Sequence, residues 1–273
     1  MRKTTPVFAA VALAIGLGQA WAQAPAVHDH SSMQGGSPPP DARDPHAYSG
    51  GLTMSPGHIH GSDGTNFGSL LIDRFEHVRV RRGESQTAYD LQARYGRDYD
   101  RFVLKAEGEA ADGEVHESRT ELLWSHAVAP YWDVQAGARV DGGDGPGRRW
   151  LAFGVQGLAP YWFEMDATFY AGQDGRSAFR LEAEYELLFT QRLILQPRVE
   201  ANVYGKTDAA NDRGKGLSDV AFGVRLRYEI RREFAPYLGI ERVTRYGDTA
   251  DLYRAAGKAT GETRFVAGLR FWY

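Results

Sequence analysis

The sequence contains no cysteine. That absence excludes a disulfide scaffold and any thiolate-ligated zinc or iron–sulfur centre, so a metal could be held only by His, Met and carboxylates. A strong excess of one charge sign is also missing. With a formal net charge of -3, the chain lacks the basic surface that nucleic-acid recognition demands, and no nucleic-acid partner is expected. Long apolar runs are confined to the first two dozen residues. Beyond them none approaches the roughly twenty residues that a membrane-spanning helix needs.

The single apolar run lies in MRKTTPVFAAVALAIGLGQAWAQA, which reads as a secretory signal. Arg2 and Lys3 form a positive n-region, Val7 to Gly18 an apolar stretch too short to span a bilayer, and Ala20-Trp21-Ala22 an A-x-A cleavage site. Residues 1–22 are therefore expected to be a signal peptide, with the mature chain starting at Gln23. Cleavage after Ala22-Gln23-Ala24 would set Pro25 beside the cut, which is unfavourable.

Residues 23–66 are rich in Pro, Gly, Ser and Asp and have no apolar period, so they predict a flexible or extended arm. From about Gly68 the pattern changes. In 179–187 the odd positions are Phe179, Leu181, Ala183, Tyr185 and Leu187, and the even ones Arg180, Glu182, Glu184 and Glu186. In 220–230 one face carries Val220, Phe222, Val224, Leu226, Tyr228 and Ile230, and the other Arg225, Arg227 and Glu229. A helix would scatter these residues, whereas a strand separates them cleanly. About twelve such segments are predicted, near 69–81, 86–95, 101–110, 115–128, 131–140, 149–158, 161–171, 178–189, 192–204, 217–231, 235–246 and 262–273.

The connections alternate between tight turns, such as Ala129-Pro130, Ala159-Pro160 and Thr190-Gln191, and longer polar loops at 141–148, 205–216 and 248–261. Short turns at one end and long loops at the other are expected of an outer-membrane barrel. The repeat Ala129-Pro130-Tyr131-Trp132, Ala159-Pro160-Tyr161-Trp162 and Ala235-Pro236-Tyr237 supplies aromatics for an interfacial girdle at the short-turn end. A soluble sandwich or periplasmic barrel would also alternate. The mixed-sign face formed by Glu182, Glu184, Glu186, Arg198, Glu200, Arg225, Arg227 and Glu229 favours a polar lumen instead. The expectation is an all-β fold: a transmembrane antiparallel β-barrel of about twelve strands over 67–273, preceded by a disordered periplasmic arm over 23–66.

Metal donors concentrate in that arm. His28, His30, His46, His58 and His60 lie there with Met33 and Met54. His28-x-His30 and His58-x-His60 are pairs on flexible backbone that can converge on one ion. Thioether and imidazole donors without thiolate suit copper, since Met favours Cu(I) and His accepts Cu(II). Nickel and zinc would accept the imidazoles but gain little from Met33 or Met54. The bland reading is a polar leader whose histidines are accidental. In the barrel, His77 with Asp73 could form an inner site if both face the lumen, although a histidine in an ion-paired wall explains His77 as well. His116 lies near a loop, His126 shares register with Leu122 and Trp124 at the lipid interface, and Met165 faces lipid.

An enzyme would need a serine beside a histidine held by a polar third residue. Ser125 and His126 point to opposite faces of their strand, and Ser118 with His116 shows no obvious orienting Asp or Asn. No enzymatic activity is expected.

Several longer stretches resemble the copper resistance protein B family (CopB) of bacterial outer membranes. They are Asp44-Pro45-His46-Ala47-Tyr48-Ser49-Gly50, FGVQGLAPYWFE at 153–164, RLEAEYELLFTQRLILQPRVE at 180–200, YEIRREFAPYLGIE at 228–241 and the closing RFVAGLRFWY. The resemblance implies an outer-membrane barrel serving copper tolerance, in contact with outer-membrane lipid and copper ions, beside a periplasmic multicopper oxidase. Members usually carry a longer leader of repeated Met- and His-containing units. Here it is reduced to His28-Asp29-His30-Ser31-Ser32-Met33, which shifts weight onto His46, Met54, His58 and His60. The expected function is capture of periplasmic copper, followed by sequestration or export; the competing class is a passive pore or structural barrel whose arm is only a plug.

Overall fold

The computed structural model describes residues 66–81 and 85–273. They form one closed antiparallel sheet. The strands are β1 (Phe67–Val80), β2 (Ser85–Gly96), β3 (Asp100–Ala111), β4 (Glu114–Ala129), β5 (Trp132–Gly143), β6 (Arg148–Ala159), β7 (Phe163–Gly172), β8 (Ser177–Glu184), β9 (Leu187–Leu188), β10 (Leu193–Tyr204), β11 (Gly216–Tyr228), β12 (Phe234–Arg245) and β13 (Gly261–Trp272). Successive strands pair, except that β8 and β9 both pair with β10, and β1 pairs with β13 to close the ring. β8 and β9 are two pieces of one stave, which makes a barrel of twelve.

The break in that stave has a local cause. Tyr185 N–H donates to Pro197 O at 3.1 Å, so Pro197 on β10 turns its backbone toward the gap. Proline has no N–H to return, and the ladder fails there before resuming at Leu187 and Leu188. The expected unbroken strand over 178–189 is corrected in this respect.

Alternation decides which side is wet. Outward positions are large and apolar, among them Phe102, Leu122, Leu151, Phe153, Phe222, Leu238 and Phe265, all well exposed. Inward positions carry charge yet are buried: Arg225 is 3% and Arg227 1% exposed. An apolar exterior around a charged interior is the inverse of a soluble protein and the arrangement a transmembrane barrel requires. Leu122, near the middle of β4, is accordingly expected to tolerate charge poorly. Leu122→Arg should destabilise the folded barrel by about 2–4 kcal/mol, read from urea unfolding in lipid vesicles.

The two ends differ. At the turn end the connections are short, and Tyr131 packs edge-on against Trp162 with ring centroids 6.2 Å apart. Tyr161 and Trp162 hold positive φ of 68° and 66° to expose both rings. The third copy of the aromatic repeat behaves differently. Ala235-Pro236-Tyr237 lies inside β12, whose turn ends earlier, and register points Tyr237 into the lumen, where its hydroxyl donates to Glu76 Oε1 at 3.0 Å. At the loop end, β3 and β4 meet in the two-residue turn Asp112-Gly113, with positive φ of 52° and 82°. The connection after β12 contains a helix, α1 (Gly247–Ala255), where an irregular loop was expected. Its Thr249 hydroxyl accepts from Gly214 N–H at 2.7 Å and donates to Ser218 at 3.0 Å, which seats the helix on β11.

Candidate functional site

The lumen is two chambers separated by a charged septum. A turn-end chamber of about 450 Å³ is lined by Asp73, Gln92, Arg94, Arg101, Lys105 and Asp133 among others. A loop-end chamber of about 320 Å³ is lined by Glu109, Asn202, Arg213 and Arg264 among others. Glu107, Arg119 and Arg180 border both, so they form the partition.

The partition crosses the barrel. Arg180 on β8 reaches Glu107 on the nearly opposite β3 at 3.0 Å, and also meets Glu200 at 2.9 Å and Glu182 at 3.2 Å. Arg119 pairs with Glu107 at 3.0 Å and donates to Tyr170 at 3.1 Å, and Tyr170 donates to Glu121 at 2.8 Å. Arg198 holds Glu182 at 2.7 Å and comes within 3.8 Å of Asp90, which Arg74 binds at 2.9 Å. Four arginines thus occupy the waist, each compensated by carboxylates. Out of water such charges are tolerated only when paired and hydrogen-bonded.

Further pairs tie distant strands together. Arg225 on β11 binds Glu76 on β1 at 2.6 Å and Glu241 at 3.1 Å. Arg264 on β13 binds Glu109 on β3 at 2.6 Å. Truncating Arg225 would leave Glu76, 2% exposed, without its cation. Arg225→Ala should therefore cost about 3–5 kcal/mol of barrel stability, measurable as a lowered denaturation midpoint.

At the loop end, residues of the β10–β11 connection bind the strands facing them. Arg148 donates to Asp208 from Nε at 2.7 Å and Nη2 at 2.9 Å, and Asn211 donates to the same carboxylate at 2.8 Å. Arg213 pairs with Asp141 at 3.0 Å and Glu117 at 2.9 Å. The Arg148 hydrogen bonds hold the Asp208 carboxyl below its ordinary range, with Asn211 and the nearby Arg176 adding to this against a modest desolvation cost. A depressed folded pKa means that the latch contributes fully above the unfolded carboxylate value and is lost as pH falls through the folded one. Asp208→Asn should speed proteolysis of the 205–215 connection at neutral pH, and the difference from the wild type should vanish in acid.

The histidines do not gather. In β1 a bulge between Ile72 and Arg74 turns Asp73 and Arg74 inward together. Asp73 pairs with Arg270 at 3.0 Å inside, while His77 is exposed on the outer face with Phe75. The inner His77–Asp73 site is thereby excluded. His126 lies outside at the turn end, stacked on Trp124, and Asp100 Oδ1 accepts from both rings at 2.9 and 3.1 Å. His116 is at the loop-end rim, where Asp144 lies 2.7 Å from its Nδ1. Asp144 sits in the next loop, 28 residues on, so no local spacing in the sequence marks it as the partner of His116. Ser125 is fully buried while His126 faces out, so the two cannot act together.

None of the described histidines lines either chamber. Among the described residues no group of three or more His, Asp or Glu is placed to hold a metal ion. The expected donors His28, His30, Met33, His46, Met54, His58 and His60, and the 1–22 signal segment, lie outside the described residues.

A family model described as "Copper resistance protein B precursor (CopB)" matches residues 66–273. The chain is 43% identical over 204 residues to "Copper resistance protein B" of Escherichia coli, covering 75% of this chain and 69% of that protein. It is 43% identical over 222 residues to "Copper resistance protein B homolog" of Pseudomonas syringae pv. tomato, covering 81% and 74%. Among solved structures it is similar to the NanC porin, with a TM-score of 0.49 and 11% identity over 74% of this chain and 98% of that one.

Proposed function

The chain belongs to the copper resistance protein B family, and on that premise we propose that it is an outer-membrane copper-binding protein that holds periplasmic copper at the membrane. In this reading the arm over 23–66, with its N-terminus in the periplasm, collects the ion through His28, His30, Met33, His46, Met54, His58 and His60. The barrel anchors that arm in outer-membrane lipid. A periplasmic multicopper oxidase is the partner that would share the same copper pool.

The observation that carries sequestration over export is the segregation of donors. Every described histidine stands outside the two lumen chambers, and the waist between them is occupied by Arg74, Arg119, Arg180 and Arg198. A copper ion moving through would leave its soft ligands and meet guanidinium and carboxylate groups already paired with one another, with no imidazole or thioether among them to hold it. The test is copper accounting in cells expressing the protein under copper stress. Sequestration predicts copper enriched in the outer-membrane fraction. Export predicts lowered periplasmic copper without that enrichment, and a passive barrel predicts neither.

A further inference from the structure

The turn-end chamber contains hydrogen-bond donors that no described residue satisfies. Gln92 and Arg94 are successive inward positions on β2, and Arg101 and Lys105 are inward on β3, with Lys105 directly opposite Gln92. The next inward position after Arg94 is Gly96, which stands opposite Arg101, so Arg94 and Arg101 are diagonal neighbours on one patch. Arg94 donates to Gln92 Oε1 at 3.4 Å and has no carboxylate partner among the described residues. Gln92 Nε2 and Arg101 Nε are buried without an acceptor.

The acids closest in register are already engaged. Asp133 receives Arg101 at 3.3 Å and the Ser125 hydroxyl at 3.1 Å. Asp166 receives Lys105 and, at 2.8 Å, the Thr168 hydroxyl. Buried N–H groups without acceptors are destabilising, so a patch holding two such donor atoms favours a ligand that accepts. A carboxylate is such a ligand: it is negative, has no donor when ionised, and takes two parallel bonds from a guanidinium fork; a phosphate offers the same acceptor oxygens but its monoanion keeps O–H donors. The chamber volume of about 450 Å³ lies in the range of small-molecule sites.

We infer that the turn-end chamber binds a small soluble oxyanion, a carboxylate or a phosphate, seated on Arg94 with Gln92 Nε2 and Arg101 Nε completing its hydrogen bonds. The opposite wall limits the ligand's charge. Glu164 on β7 and Glu184 on β8 face each other in register. Glu184 accepts from Gln196, and neither glutamate has a cation within ion-pair distance among the described residues. This acidic pair resists taking up further negative charge beside it, so singly charged ligands are favoured over polyanions.

The test is calorimetric titration of the full, detergent-solubilised chain with inorganic phosphate and, separately, with acetate, at constant ionic strength in chloride. Saturable binding of either is expected, and the stronger of the two identifies the preferred oxyanion. Arg94→Gln should weaken it at least tenfold. Glu164→Gln should strengthen it severalfold by removing a repulsive charge. Arg94→Lys, which keeps the charge and loses the fork, should give an intermediate loss and replaces Arg94→Gln should that variant fail to fold. Heat-modifiable migration and circular dichroism confirm the barrel in each case. Absence of saturable binding by the wild type, or equal binding by a folded Arg94 variant, would overturn the assignment.

Discussion

Cells carrying the variant in which His28, His30, His46, His58 and His60 are all replaced by Ala should lose the copper tolerance the protein confers. The barrel should still assemble, because the strands that close the sheet run from Phe67 to Trp272 and keep their sequence. Copper affinity at a His/Met site rests on several neutral imidazoles converging on one ion, and the remaining donors, Met33 and Met54, are thioethers suited to Cu(I) alone. The expected loss of copper affinity is at least tenfold, with Cu(II) binding affected most. Because each imidazole must be deprotonated to ligate, wild-type binding should itself weaken as pH falls through about 6.5, the ordinary imidazole value. Unchanged tolerance in a variant that assembles normally would sink the role assigned to the arm.

The septum yields the second large effect. Arg180 is 6% exposed and faces three carboxylates, Glu107, Glu182 and Glu200. Arg180→Ala leaves these acids confronting one another without their shared cation. The expected cost is about 1.5–3 kcal/mol in the urea unfolding equilibrium, that of lost charge-assisted hydrogen bonds, because Arg119 still pairs with Glu107 and Arg198 with Glu182. The same change removes the side chain that spans between opposite walls, so the two chambers should join. In planar bilayers the wild type should pass little current, and Arg180→Ala should pass clearly more, with a preference for cations set by the exposed glutamates. Adding Glu107→Gln should recover part of the stability by removing one of the repelling charges, while the current stays high. Equal currents for wild type and Arg180→Ala would show that the septum does not close the lumen.

The strands and their facing were legible because a half-buried sheet must alternate, and residues such as Phe179, Arg180, Leu181 and Glu182 do so without exception. The details that were not legible depend on partners remote in sequence. The gap after Glu184 is set by Pro197 on the neighbouring strand, and the bulge at Asp73 cannot be read from a segment that alternates imperfectly on its own. That bulge decides that Asp73 faces in while His77 faces out. Tyr237 shares the Ala-Pro-Tyr motif of two exposed aromatic turns, yet the position of its turn sends it inward to Glu76. Helix α1 escaped notice because its short amphipathic face, Thr249 and Ala250, has meaning only against β11. The same holds for the chemistry. Residue type and spacing marked the arm's histidines and methionines, whereas Gln92, Arg94 and Arg101 become a site only when the barrel closes around them.

Copper titration of the purified, detergent-solubilised chain, compared with a version lacking residues 23–61, decides whether the arm or the barrel holds the ion. Saturable copper binding by the full chain and its loss in the shortened one are expected, with both forming the same heat-modifiable barrel. Equal binding by the two would contradict the arm's role and move the copper site into the barrel.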